Sequence, residues 1–137
     1  DGFLYITGRV KDIFKTSKGK YIEPSVLESY FGNITEFQQM CIVGLGLDQP
    51  ILLAVPSEKA KSDRDVVSKK LSDFLVKVNS DLDGYKKIKK IILVKDEWMP
   101  ENGLTTPTLK IKRAKIDERF SDNYQEWYKS SQAVIWE

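Results

Sequence analysis

Histidine is absent from this sequence and cysteine occurs once, at Cys41. Without imidazole the commonest metal ligand and the commonest general base near neutral pH are missing. A single thiol excludes an internal disulfide and cannot assemble a thiolate metal site. An excess of charge of one sign is lacking too. The 22 Lys and Arg against 20 Asp and Glu leave a formal +2 at pH 7, so there is no global field of the kind that grips nucleic acid, and none is expected as a partner. No apolar run approaches the roughly 20 residues of a membrane-spanning helix. The opening Asp1-Gly2-Phe3 has neither an initiator methionine nor a basic leader, so the chain is expected to continue upstream. A reducing, cytoplasmic setting fits these absences, with peripheral membrane association left open.

What is present suffices for one modest core. The 137 residues are 41% hydrophobic and 11% aromatic, which predicts a single domain over 1–137. Phe3-Leu4-Tyr5-Ile6-Thr7, a turn at Gly8-Arg9 and Asp12-Ile13-Phe14-Lys15 read as a short hairpin. The polar stretch 16–20 reads as a loop, and Pro24 opens a helix carrying Val26, Leu27, Tyr30 and Phe31 on one side until Gly32. Met40-Cys41-Ile42-Val43 and Ile51-Leu52-Leu53-Ala54-Val55 are continuous apolar runs between turn residues, hence two buried strands paired as a hairpin. From Ser62 as N-cap, with Asp65 behind it, Val66, Val67, Leu71, Phe74, Leu75, Val78 and Leu82 step by three and four to Gly84, the spacing of an amphipathic helix.

Ile91-Ile92-Leu93-Val94 predicts a third core strand, followed by an irregular segment from Trp98 to Leu109 that carries Pro100, Gly103 and Pro107. A loop of that length in a compact domain is usually functional or disordered. Ile116, Phe120, Tyr124 and Trp127 then mark helix, broken near Ser121-Asp122-Asn123. The order predicts an α+β domain: a small three-stranded sheet flanked by helices, plus an N-terminal two-stranded hairpin.

Two segments could carry chemistry. Gly8-Arg9-Val10-Lys11-Asp12-Ile13-Phe14-Lys15, with Gly19-Lys20-Tyr21-Ile22-Glu23-Pro24 behind it, clusters cations around a turn where an Arg fork could hold phosphate or ribose oxygens. Gly103 to Arg113 carries Lys110, Lys112 and Arg113. An ammonium on a flexible stem can offset charge developing on a reacting carboxylate and phosphate. By residue type alone each segment reads first as an ordinary solvated surface, a hairpin end or an exposed helix start. The pattern Gly-x-x-x-x-Gly-Lys-Ser/Thr is not present, which removes a phosphate loop.

Both segments, in this order, resemble motifs of the adenylate-forming enzymes, which include acyl-CoA synthetases, luciferases and the adenylation domains of peptide synthetases. Asp1-Gly2-Phe3-Leu4-Tyr5-Ile6-Thr7-Gly8-Arg9-Val10-Lys11-Asp12 is similar to the entry into their C-terminal domain. Leu104-Thr105-Thr106-Pro107-Thr108-Leu109-Lys110-Ile111-Lys112-Arg113 resembles the lysine motif of the long-chain fatty acid–CoA ligase branch, where Leu109 stands in place of the glycine of most other members. The resemblance spans nearly the whole chain.

It implies a mobile C-terminal domain with a hinge region at 8–12 and a catalytic-lysine loop at 104–113. Lys110 would be the adenylation lysine, with Lys112 a minor rival. Arg9 would lie near the nucleotide ribose and phosphates, Lys11 on the hinge, Gly19 beside the pantetheine channel of CoA, and Lys15 at the same second-step face. The implied reaction turns fatty acid and ATP, accompanied by Mg²⁺, into acyl-AMP, and then transfers the acyl group to CoA by domain alternation. The partner is the chain's own N-terminal domain, which would hold most substrate contacts, so these residues alone should be inactive. Two alternatives stay open: adenylation of another acid or for a carrier protein, and a free-standing binding or regulatory module.

The remaining conspicuous residues have plainer readings. Cys41, in an apolar run, is a packed core thiol. Lys86-Lys87 and Lys89-Lys90 form a solvated strand entrance. Trp98, Trp127 and Trp136 pack in the core or against the partner domain, and the tail Ala133-Val134-Ile135-Trp136-Glu137 docks on that domain.

Overall fold

Side chains alternate faces along a strand, and in this chain both faces of the central strands are apolar. A computed structural model of the chain describes residues 13–82, 84–108 and 110–137. Strands β1 (Phe14–Lys15) and β2 (Tyr21–Ile22) form a two-stranded antiparallel sheet. A four-stranded mixed sheet follows. Its antiparallel pair is β3 (Phe37–Val43) and β4 (Ile51–Pro56); β5 (Ile91–Leu93) runs parallel to β4, and β6 (Val134–Trp136) parallel to β5. Leu52, Ile91 and Val134 stand in register across β4, β5 and β6, and with Ile42, Ala54 and Leu93 they pack into one buried cluster. Cys41, Val43, Ile51, Leu53, Val55 and Ile92 belong to a second. Burial on both sides is why these strands read as continuous apolar runs rather than alternating ones.

Helices cover each face. Helix α1 (Pro24–Ser29) begins on a proline that needs no hydrogen-bond partner in the first turn. Short α2 (Glu58–Lys61) and long α3 (Arg64–Asn79) follow β4, and α3 lays Val67, Leu71, Leu75 and Val78 into the first cluster. On the other face, α4 (Arg113–Phe120) and α5 (Tyr124–Lys129) supply Ile116, Phe120 and Tyr124 to the second cluster. A 3-10 turn at Ser121–Asn123 joins them where the sequence predicts a break.

The α+β class and the hairpin-plus-sheet plan hold, with several differences in detail. The sheet has four strands, not three, because the tail that was expected to dock elsewhere pairs as β6. Lys90 makes that possible. It is buried, and its ammonium donates to Ser130 O at 2.5 Å and Gln132 O at 2.7 Å, satisfying carbonyls just past the end of α5 and steering the chain into β6. Desolvation, with Lys89 adding to it, holds the Lys90 pKa below its ordinary value. One member of the expected solvated strand entrance is therefore structural.

The expected strand at 3–7 and its turn lie outside the described residues, and the partner of Phe14–Lys15 is instead Tyr21–Ile22, too short for any period to show. Helix α1 ends at Ser29, short of the expected Gly32; Leu27 and, in the turn beyond, Phe31 face inward, but Val26 and Tyr30 are exposed. The helix expected from Ser62 to Gly84 is the single helix α3, which starts two residues later and ends at Asn79; Ser62 is not its N-cap but ends α2, its Oγ donating back to Lys59 O, and Ser57 caps α2 by accepting from Ala60 N. Cys41 is fully buried as expected, and desolvation pushes its thiol pKa up to about 12.

Leu71 is 0% exposed, so Leu71→Ala should lower the unfolding free energy by about 2–5 kcal/mol. The urea midpoint should fall accordingly. Cys41, closed to reagent in the native fold, should be alkylated faster in the variant than in the parent; equal and rapid alkylation of both would contradict this packing.

Candidate functional site

The segment from Trp98 to Lys112 has little regular structure but is tied down at defined points. Its first anchor is Gln39 on β3. The Gln39 side-chain amide donates to Trp98 O and accepts from Trp98 N, both at 2.8 Å, pairing that backbone as a neighbouring strand would. The Trp98 side chain is fully buried in the second cluster. A 3-10 turn at Pro100–Asn102 follows. There Asn102 accepts from Met99 N at 3.0 Å and donates to Glu97 O at 2.9 Å, and Gly103 closes the turn with φ of +80°, where a side chain would be strained.

Beyond Gly103 the chain folds back on itself. Thr105 and Ile111 form an antiparallel bridge, and Lys112 N donates to Leu104 O at 2.9 Å. At the tip, Thr106 holds Lys110 twice. Its N–H donates to Lys110 O at 2.8 Å and its hydroxyl oxygen accepts from Lys110 N at 3.1 Å. The Lys110 side chain is exposed, and no partner of its ammonium is found among the described residues. Lys112 is exposed as well and stands at the start of α4 without capping it. The segment expected to be a long loop is thus a closed hairpin-like tip that presents Lys110 outward.

The second anchor lies one residue past that tip. Arg113 donates through Nε to Ile42 O at 3.0 Å and through its terminal nitrogen to Glu28 Oε2 at 2.6 Å, and the same Glu28 oxygen accepts from Ile42 N at 2.9 Å. Deeper on the same side, Tyr124 Oη donates to Asp117 Oδ1 at 2.7 Å. Burial pushes the Asp117 carboxyl above its ordinary range, while the Tyr124 bond pulls it back. Of these supports, Arg113 falls inside a motif visible in the sequence. Glu28, Gln39 and Asn102 carry no sequence signal, because each acts through a backbone group or a partner distant in the chain.

The other expected site residues sit elsewhere. Gly19 lies at the tip of the loop between β1 and β2, with φ of +81° and open space around it. That loop is rooted by Thr16 N to Lys20 O at 2.8 Å, Ser17 N to Leu47 O at 2.9 Å and an ion pair of Lys18 with Asp48. Lys15 lies over the Tyr21 ring, and Lys20 and Lys86 over that of Tyr85. Tyr21, Tyr85 and Lys86 line, with Val26, an open groove of about 370 Å³. Among the described residues no hydrogen bond or ion pair joins this loop to the segment 104–112. Lys15 and Gly19 thus belong to a hairpin anchored on Leu47 and Asp48, and Lys110 to a segment anchored through Gln39 and Arg113. Arg9, Lys11 and Leu109 lie outside the described residues. Among those described, no group of His, Cys, Asp or Glu side chains could hold a metal ion, and no helix is long and apolar enough to cross a membrane.

Loss of the Gln39 side chain should leave the Trp98 N–H and C=O without partners, at a cost of about 1–3 kcal/mol. Gln39→Ala should accelerate amide hydrogen exchange across 98–112 and spare β4 and β5. Unchanged exchange in that segment would count against the anchor.

Comparison with known proteins places these surfaces in context. A family model described as the AMP-binding enzyme C-terminal domain matches residues 9–132. Long-chain-fatty-acid–CoA ligase 5 of Rattus norvegicus is 29% identical, over 95% of this chain and 22% of that protein. Fatty acyl-CoA synthetase B of Dictyostelium discoideum is 30% identical, over 93% and 22%. Among solved structures, the A-PCP didomain of carboxylic acid reductase from Segniliparus rugosus, in complex with AMP, superposes with a TM-score of 0.70 at 25% identity, covering 87% of this chain and 18% of that one. The chain spans about a fifth of the length of the curated relatives it matches. With the family model matched almost end to end and the fold shared, the chain belongs to the AMP-binding enzyme C-terminal domains.

Proposed function

We propose that this chain is the mobile C-terminal domain of a long-chain fatty acid–CoA ligase, and that Lys110 acts in the first half-reaction, formation of acyl-AMP. The observation that carries the reading is the presentation of Lys110: an exposed ammonium with no partner among the described residues, on a tip whose backbone is closed by Thr106. As a carboxylate oxygen of the fatty acid attacks the α-phosphorus of ATP and the bond to the leaving pyrophosphate breaks, negative charge builds on the oxygens of the pentacoordinate centre. A positioned ammonium stabilises that charge more than the ground state. Arg9 would contact the nucleotide and Lys11 would serve as the hinge. Mg²⁺ would arrive with ATP, since the carboxylates described here do not converge on a metal position.

In the second half-reaction the thiol of CoA attacks the acyl carbon and AMP leaves. The Gly19 surface suits that step. A glycine without neighbours lets a narrow pantetheine arm pass close to the backbone, and the lysines and tyrosines bordering the adjacent groove offer cations to a phosphate-bearing molecule. The two surfaces are rooted separately, which is what a domain serving two steps in turn requires. The long-chain fatty-acid relatives support the choice of acid and of CoA.

A second reading draws on the carboxylic acid reductase didomain, in which an adenylation domain stands beside a carrier-protein domain. In that case the thiol would belong to a carrier protein. Assaying the full-length enzyme with CoA and with a phosphopantetheinylated carrier, across a series of acid chain lengths, separates the two.

In the full-length enzyme, Lys110→Ala should slow acyl-AMP formation by at least about 10²–10³-fold, while thioester formation from supplied acyl-AMP stays within a few-fold. Adenylation at the parent rate would sink the assignment. Gly19→Leu should cost only about 1–2 kcal/mol of stability, from its left-handed backbone, yet raise KM for CoA and slow the thioester step selectively. A variant that takes up CoA as well as the parent would remove Gly19 from the channel.

A further inference from the structure

Resting on the reading of Lys110 as the adenylation lysine, we propose that Glu28 and Arg113 are positioning residues that fix where Lys110 is presented, by clamping the root of its loop to the outer edge of β3. The argument begins with β3 itself. Among the described residues it lies at the edge of the sheet, paired on one side with β4, so alternate residues turn their N–H and C=O outward with no described strand to receive them. Ile42 is such a residue. Its N–H is taken by Glu28 at 2.9 Å and its C=O by Arg113 at 3.0 Å, and the two side chains close the ring with an ion pair at 2.6 Å. Both charges are largely withdrawn from water, with side-chain exposures of 16% for Arg113 and 21% for Glu28. Opening the ring would leave a backbone donor, a backbone acceptor or a charge unsatisfied.

Position along the chain gives the ring its second meaning. Arg113 is the first residue of α4, and the residue before it, Lys112, makes no side-chain cap. The start of α4 is therefore located by the Arg113 side chain rather than by a cap of its own. Lys110 is three residues upstream, a span of at most about 10 Å of extended chain, and the tip between them is stiffened by the Thr105–Ile111 bridge and the Thr106 bonds. A shift of Arg113 is passed to Lys110 with little slack. Glu28 comes from α1, 85 residues away, so the lysine is referenced to two elements of the domain at once. Misplacement of a reacting group by about 1 Å can cost on the order of 10²-fold in rate.

The test uses the full-length enzyme and measures the two half-reactions separately: pyrophosphate release from fatty acid and ATP without CoA, and thioester formation from supplied acyl-AMP. The variants are Glu28→Ala, Glu28→Gln, Arg113→Lys and, as reference, Lys110→Ala. Glu28→Ala should lower kcat of adenylation by about 10- to 100-fold, with KM for fatty acid and ATP and the thioester step within about threefold of the parent. Glu28→Gln, which keeps an acceptor for Ile42 N, should lose less. Arg113→Lys, which keeps the charge but not the fork, should fall between them. If Glu28→Ala does not fold, the Gln and Lys variants carry the comparison. Equal loss in both half-reactions, or no loss in a folded variant, while Lys110→Ala still blocks adenylation, overturns the clamp and leaves the role of Lys110 standing. Adenylation that survives Lys110→Ala removes the underlying reading and the clamp with it.

Discussion

The outer edge of β3 is the constraint from which the rest of this domain follows. A small sheet with an open edge exposes backbone donors and acceptors that must find partners in water, in another strand or in side chains. Here side chains do it. Gln39 pairs with the backbone of Trp98, and the Ile42 backbone is paired with Glu28 and Arg113. The contacts at Ile42 cover the edge, and together with those of Gln39 they decide where the segment between Trp98 and Arg113 must run. The same device recurs at Asn79, whose amide accepts from Ile88 N at 2.9 Å and donates to Ile88 O at 2.8 Å, fixing the entrance to β5. In each case a side chain makes the backbone pairing that a strand would otherwise make.

A chain segment held at its root and closed at its tip can be irregular without being loose. That combination suits the proposed chemistry. A lysine that stabilises a transient charge must be exposed enough to meet a substrate lying on another domain, and placed closely enough that its ammonium arrives without reorganisation. The hairpin loop bearing Gly19 is rooted independently on Leu47 and Asp48 and carries its own set of lysines and aromatic rings. In the proposed mechanism, two separately anchored surfaces would let a rotation of the domain exchange one for the other. Neither surface needs to deform.

Much of the scaffold was legible in the sequence, and the reasons are physical. The apolar runs at 40–43, 51–55 and 91–94 could only be buried strands, and the spacing of Val67, Leu71, Leu75 and Val78 could only be one helix face. The tail was not legible as a strand, because its three-residue pairing as β6 depends on Lys90 closing the carbonyls of Ser130 and Gln132, a contact that spans the chain. A buried lysine runs against the usual expectation for that residue. The pairing of β1 with β2 escaped for the opposite reason, being too short to show a period. As for the candidate site, Lys110 and Arg113 stood out only because neighbouring residues resemble a family motif. Glu28 and Gln39 were invisible, since a carboxylate on an exposed-looking helix turn and an amide on a strand have no pattern that announces a backbone partner far along the chain.

The central claim is that the Lys110 surface faces substrate in the first step and the Gly19 surface in the second. Amine labelling of the full-length enzyme, read residue by residue by mass spectrometry, tests it most directly. Fatty acid with a non-cleavable α,β-methylene analogue of ATP should protect Lys110 and leave Lys15 reactive. A stable acyl-AMP analogue with CoA should expose Lys110 and protect Lys15. Lys110 equally reactive in both states, or protection that falls on Lys112 instead, would contradict the account.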